Sequence, residues 1–102
     1  MEMALTGDMV SAEEAFRLGL VNRIVAEAEF QTYVVAYAER LAKNAPLALA
    51  AIKGSVHKAL THSLDDTLTL EMNEQRRMNK TEDFREGVAA FLEKREPVYK
   101  GK

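Results

Sequence analysis

Apolar residues recur at helical spacing through most of the chain. Over about residues 28–43 they fall three or four positions apart, which places them on one face of an α-helix. They are Phe30, Val34, Tyr37, Ala38 and Leu41. After Pro46, which suits a first helical turn because its missing N–H would have no partner there, the same spacing continues. It runs through Leu49, Ile52, Val56 and Leu60, so the pattern predicts two successive amphipathic helices.

Two further helices are predicted in the second half of the chain. Ser63 precedes a segment with acidic residues in its first turn, where the helix dipole favours negative charge. Its apolar positions are Leu64, Leu68 and Met72. Thr81 is the predicted N-cap of the last helix, and Pro97 ends it. The apolar positions of that helix are Phe84, Val88, Phe91 and Leu92.

The first 25 residues predict one short helix. Ser11 and Glu14 form a capping box, in which each side chain would bond the other residue's amide, and Gly19 can end the helix in a left-handed conformation. Residues 20–25 suit an extended segment that is too short for a sheet. Asn44 is predicted to cap the helix that follows it. The expected fold class is therefore mainly α, with four or five amphipathic helices and almost no strand.

Length and composition predict one folded domain over residues 1–102. Leu, Ile, Val and Phe number 25 of 102 residues, above the ~20% below which disorder is expected. The net charge of -2 disfavours binding to nucleic acid or anionic lipid. No apolar run approaches the ~20 residues of a membrane helix, and no targeting segment is visible. The sequence contains no cysteine, which fits the cytoplasm, and we expect a cytoplasmic protein with no nucleic-acid or membrane partner.

Motifs for catalysis and metal binding are absent from the sequence. His57 and His62 lie five residues apart, so they do not meet on one helix face, and solvated or capping roles are expected for both. The acidic pairs occupy first helical turns, where the dipole explains them. The glutamates and arginines of the last two helices indicate a solvated, charged face. We expect no catalytic residue and no metal ligand.

The basic carboxy terminus has two interpretations from its residues alone. Its cations are Lys94, Arg95, Lys100 and Lys102. They could bind a phosphate, or they could complement the negative end of the last helix, which composition favours.

Several stretches, in this order and at this separation, resemble the carboxy-terminal region of the enoyl-CoA hydratase/isomerase family, the crotonases. They are LTG at residues 5–7, SAEEA at 11–15, GLVN at 19–22, NAPLA at 44–48, Lys53, and DFREGVAAFLEKREP at 83–97. The resemblance implies a protein that acts on acyl-CoA thioesters, whose carbonyl the family polarises between two backbone amides. Those amides and the catalytic glutamates belong to an amino-terminal βα spiral that this sequence lacks, so no catalytic position is carried over.

The resemblance also implies two coenzyme A contacts. In the family the last helix covers a CoA site, often that of a neighbouring subunit, and its aromatic and lysine match Phe91 and Lys94. An aromatic ring can stack on adenine and an ammonium can pair with phosphate. Phe91 also belongs to the apolar stripe, which leaves packing as its alternative role. An aromatic that some members carry earlier in the tail would fall near Gln75.

We therefore expect the carboxy-terminal helical domain of a crotonase-like protein, without the spiral and without turnover as a separate chain. The coenzyme A moiety of an acyl-CoA substrate is the expected ligand. Its expected partners are further copies of itself, in the family's trimer arrangement, or an amino-terminal domain. One alternative is a non-catalytic module for oligomerisation or partner binding, which should expose large apolar patches. Another is an unrelated helical bundle that matches by chance.

Overall fold

The computed structural model describes residues 1–102 and contains six α-helices and no β-strand. They are α1 (Glu2–Thr6), α2 (Ala12–Arg17), α3 (Glu27–Ala42), α4 (Pro46–Ala59), α5 (Leu64–Met78) and α6 (Glu82–Glu93). The predicted mainly α fold class is confirmed. The number of helices exceeds the expected four or five because the short α1, which ends at the left-handed Gly7, is too brief to show a periodic pattern.

The chain divides into two compact units, residues 1–36 and residues 37–102. In the first unit, α2 begins at Ser11, whose hydroxyl oxygen accepts a 3.1 Å hydrogen bond from the Glu14 amide. The other half of the predicted capping box, a bond from the Ser11 amide to the Glu14 carboxylate, is not formed, so that part of the prediction is wrong. The Glu14 carboxylate accepts instead from the Arg17 side chain, 2.7 Å from its Nε, and this bond lowers the pKa of Glu14.

Helix α2 ends in the left-handed conformation predicted for Gly19, at a φ of 73°. The Gly19 amide donates to the Phe16 carbonyl and the Leu20 amide to the Ala15 carbonyl, the paired bonds of a Schellman motif. Residues 20–26 then form no strand and connect α2 to α3 as turn and irregular chain.

The junction between α3 and α4 corrects the prediction for Asn44. Its side-chain amide donates to the carbonyls of Arg40 and Leu41, so it caps the end of α3. Ala45 is the N-cap of α4 and Pro46 occupies the first turn as predicted. Because Pro46 has no N–H, the start of α4 has one donor fewer to satisfy, whereas the last carbonyls of α3 need donors.

Helices α4 and α5 pack against each other in the second unit. A groove along the two helices is lined by small or polar residues and by part of the apolar stripe of α4. They include Ala48, Ala51, Ser55, Thr67 and Glu74, together with Ile52 and Val56. The predicted apolar stripes stay largely exposed, since Ile52 is 61% exposed, Leu64 73% and Leu60 82%. The stripes therefore do not build a core within this chain.

After α6 the chain runs back along that helix as a carboxy-terminal strap, residues 95–102. Asp83, which is 4% exposed, binds the far end of the strap. Its carboxylate accepts hydrogen bonds from the Lys100 amide at 2.7 Å and the Gly101 amide at 2.8 Å. Its own amide donates to the Lys102 carbonyl at 3.0 Å. Asp83 lies in the first turn as predicted, but its carboxylate also holds the strap in place.

Glu86 binds the near end of the strap, one helical turn after Asp83. Its carboxylate accepts from both terminal nitrogens of Arg95, at 2.6 and 2.9 Å, and from the Val98 amide at 2.8 Å. The hydrogen bonds from Arg95 and then Val98 lower the pKa of Glu86 to about 2. The solvated face predicted here is thus partly a structural anchor.

The substitution Asp83→Asn is expected to release the end of the strap. The asparagine side chain has one oxygen that accepts hydrogen bonds, whereas its nitrogen only donates. One of the two strap amides therefore loses its acceptor. A buried donor without a partner costs about 1–3 kcal/mol. Hydrogen exchange at Lys100 and Gly101 should accelerate, while the middle of α6 stays protected. Glu82→Gln, at the exposed neighbouring position, should leave exchange unchanged. Unaltered exchange in Asp83→Asn would contradict this assignment.

The attachment of the strap to Glu86 should depend on acid pH. The folded pKa of about 2 lies below the ordinary 4.5, so the ionised form stabilises the fold. This contribution is complete above pH 4.5 and disappears as the pH falls through about 2. An NMR titration should therefore show the Val98 amide following a midpoint near 2, and Glu86→Gln should abolish that transition. A midpoint at 4.5 would exclude the attachment.

Candidate functional site

Helix α6 presents Phe91 to solvent. The helix begins at Thr81, whose hydroxyl oxygen accepts a 3.0 Å hydrogen bond from the Phe84 amide, as predicted. One side of α6 buries Ala90, which is 1% exposed. Phe91, in the last turn, is 82% exposed, so packing within this chain does not occupy its ring.

Phe91 lines a groove of about 380 Å³ in the second unit. The groove is mainly apolar, and α4, the end of α5, α6 and the strap all contribute to it. Its larger side chains are Leu47, Met78, Phe84, Val88, Phe91, Leu92 and Tyr99. The ring of Phe91 therefore has both an open face and an apolar neighbourhood, as a site for a flat aromatic ligand requires.

Tyr99 of the strap forms one wall of this groove, a role that the sequence analysis missed. A Cβ at Gly87 would lie 3.1 Å from the Tyr99 hydroxyl, so the glycine lets the ring approach α6 closely. Glu86 and Asp83 fix the strap on either side of Tyr99, at Val98 and Lys100. An aromatic two residues after Pro97 is the signal that could have indicated it. The prediction that Pro97 ends α6 is wrong, because the helix already ends at Glu93.

Lys94 follows α6 in a left-handed conformation, with a φ of 56°, and is the only residue other than glycine with a positive φ. The Lys94 amide donates to the Phe91 carbonyl and the Arg95 amide to the Ala90 carbonyl, which completes a Schellman motif. For a residue with a Cβ this conformation costs about 1–2 kcal/mol. The side chain of Lys94 is exposed, outside the groove lining, and makes no ion pair within the chain.

Arg95, the neighbouring cation, is already paired. Besides the two bonds to Glu86, its Nε lies 2.6 Å from a Glu93 carboxylate oxygen. These bonds to Glu86 and Glu93 raise the pKa of Arg95. Of the two adjacent cations, Lys94 can therefore meet an external anion without breaking an ion pair, whereas Arg95 cannot.

The arrangement at the end of α6 is suited to binding. Phe91 offers an aromatic face and Lys94 a point charge three residues later. The carboxylate of Asp83 also lines the groove, but it already accepts hydrogen bonds from two amides of the strap. No group of three or more His, Asp or Glu side chains lies close enough to hold a metal ion.

The remaining residues that the sequence singled out have local roles. The Nδ1 of His62 donates a 2.8 Å hydrogen bond to the Lys58 carbonyl at the end of α4, a capping role as expected. Gln75 donates to the Asn79 side chain at 2.9 Å, on the surface of α5. Glu74 and Arg77 form an exposed ion pair one turn apart. None of the helices is long and apolar enough to cross a membrane.

Comparison with known proteins places the chain in a family. The model of the Enoyl-CoA hydratase/isomerase family matches residues 1–102. A probable enoyl-CoA hydratase of Rhodobacter capsulatus is 41% identical over 102 residues, which are 100% of this chain and 40% of that protein. The 1,2-epoxyphenylacetyl-CoA isomerase of Escherichia coli is 37% identical over 102 residues, 100% of this chain and 39% of that protein.

A solved structure shares the fold. The enoyl-CoA hydratase from Bacillus anthracis superimposes with a TM-score of 0.94 at 34% identity, over 99% of this chain and 39% of that one. The chain thus spans about 40% of the length of the curated relatives that it matches. Because the match covers the whole chain in sequence and in fold, the chain belongs to the enoyl-CoA hydratase/isomerase family.

Proposed function

We propose that this chain is the helical carboxy-terminal part of a protein that acts on acyl-CoA thioesters, and that Phe91 and Lys94 contact the coenzyme A moiety. Family membership and the names of the relatives support the substrate class. The observation that carries the two contacts is Lys94 itself. A glycine would adopt its left-handed conformation without strain, yet a long cationic side chain stands there.

The chemistry of coenzyme A matches both residues. Its adenine presents a flat aromatic face that can stack on the exposed ring of Phe91. Its phosphates attract the ammonium of Lys94, which no carboxylate of this chain neutralises. Apolar walls beside Phe91, including Val88 and Leu92, would exclude water from the stacked ring.

The reacting groups are proposed to lie outside this chain. Relatives named as a hydratase and as an isomerase match the same 102 residues. A segment that both kinds of enzyme share is better suited to binding than to determining which reaction takes place. The groups that the family resemblance assigns to chemistry, two backbone amides and the catalytic glutamates, belong to a spiral that this sequence lacks. We propose that such a domain supplies them.

A second candidate function is self-association. Four large apolar residues of the second unit are at least 73% exposed: Leu60, Leu64, Phe91 and Leu92. Apolar surface of this extent marks an interaction site in a folded protein. A second copy of the chain would cover such surface, as would the domain that carries the chemistry. Cytoplasmic localisation stays a prediction.

The substitution Lys94→Gly should change stability and coenzyme A affinity in opposite directions. Lys94→Gly removes the strain, so its free energy of unfolding should rise by about 1 kcal/mol. It also removes the charge, so coenzyme A should bind about fivefold more weakly, as expected for ~1 kcal/mol from one ammonium–phosphate contact. Lys94→Ala should lose the affinity without gaining stability. Calorimetric titration with coenzyme A and urea unfolding measure the two quantities.

The matched control is Lys80→Ala, an exposed lysine before the opposite end of α6, which should leave both quantities unchanged. Undiminished coenzyme A binding by both Lys94 variants would contradict the proposed contact. Failure of the unsubstituted chain to bind coenzyme A at millimolar concentration would contradict the binding role as a whole.

The purified chain is expected to self-associate and to lack turnover. Analytical ultracentrifugation should show species heavier than the 11.4 kDa monomer at high concentration, because association buries the exposed apolar faces. Addition of a short enoyl-CoA should give no detectable hydration. A monomer at all concentrations would exclude the second candidate, and measurable hydration would show that the chain contains its own catalytic groups.

A further inference from the structure

We propose that Glu86 is a positioning residue for Lys94. By holding Arg95 and Val98 it keeps Lys94 in the left-handed conformation, which sets the direction of the ammonium towards a coenzyme A phosphate. The inference rests on the proposed function and adds to it a residue that contacts no ligand. Glu86 is absent from the lining of the groove that contains Phe91, and its carboxylate oxygens already accept from Arg95 and from the Val98 amide.

The conformation of Lys94 needs support from both sides. A strained backbone persists only where the surrounding structure holds it. On the helix side, the Lys94 amide donates to the Ala90 carbonyl and, at 3.3 Å, to the Phe91 carbonyl. The Arg95 amide donates to the same Ala90 carbonyl at 3.0 Å. This last bond belongs to the left-handed turn at Lys94, so the position of Arg95 and the conformation of Lys94 are linked.

Glu86 supplies the support on the strap side. Its two oxygens bind the guanidinium of Arg95 in a fork, and one of them also accepts from the Val98 amide. The fork constrains distance and orientation together, since both groups are planar. Residues 86–98 thus form a closed loop with Lys94 at its bend. The side chain of Glu86 is only 26% exposed, so water competes less with Arg95 and Val98 for its carboxylate.

Glu93 provides a matched control. It also binds Arg95, at 2.6 Å, but its side chain is 61% exposed and makes no bond to the strap backbone. Removal of its charge leaves the fork to Glu86 and the bond to Val98 intact. Glu86→Gln and Glu93→Gln therefore make the same chemical change beside the same arginine, and only the first should disturb Lys94.

The test is a double-mutant cycle of Glu86→Gln with Lys94→Ala, read by calorimetric titration with coenzyme A. We expect Glu86→Gln to weaken binding about as much as Lys94→Ala, about fivefold, and to cause no further loss in the Lys94→Ala background. Glu93→Gln should bind like the unsubstituted chain. NMR coupling constants and α-carbon shifts should show that Glu86→Gln removes the left-handed conformation of Lys94.

Each outcome decides between the inference and the proposed function. Additive losses, or unchanged affinity in Glu86→Gln alone, would overturn the positioning role while the Lys94 contact stands. Unchanged affinity in Lys94→Ala would overturn the contact and the positioning role together. If Glu86→Gln also frees the Lys100 and Gly101 amides, the cycle is repeated with Arg95→Lys, which keeps the charge and loses the fork. This second cycle must also show non-additive losses of affinity for the positioning role to stand.

Discussion

Two carboxylates one turn apart on α6 hold the end of the chain against the helix. Asp83 is almost fully buried, and a buried carboxylate is stable only if hydrogen bonds replace the water that it loses. The amides of Lys100 and Gly101 provide those bonds, so the carboxylate and the strap depend on each other. Glu86 is more exposed than Asp83 but repeats the arrangement, because its carboxylate accepts from the Val98 amide of the strap and from the guanidinium of Arg95.

The strap determines the geometry of both parts of the candidate site. On one side it places Tyr99 against Gly87, which forms a wall of the groove beside Phe91. On the other side its first residue, Arg95, lies directly after the strained Lys94. These two adjacent cations differ in their partners, because carboxylates of the chain pair with Arg95 and none pairs with Lys94. Arg95 thus serves the fold, whereas Lys94 makes no ion pair within the chain.

The second unit has hydrogen bonds and ion pairs between α6 and the strap but almost no buried apolar core. Ala90 is the one apolar residue that is fully buried, while Phe91 and Leu92 beside it face solvent. An amphipathic helix gains stability by burying its apolar face. The apolar faces of α4, α5 and α6 stay largely exposed within this chain, which spans about 40% of the length of its relatives.

The sequence alone determined the local elements: apolar spacing located the long helices, and Ser11, Ser63 and Thr81 marked helix starts because capping involves residues three positions apart. The family resemblance added the prediction that Phe91 and Lys94 contact coenzyme A. Only the tertiary structure revealed that Asp83 and Glu86 hold the strap, that Tyr99 meets Gly87 and that the apolar stripes stay exposed. These features depend on contacts between residues 9 to 18 positions apart, and helical periodicity carries no information on such contacts.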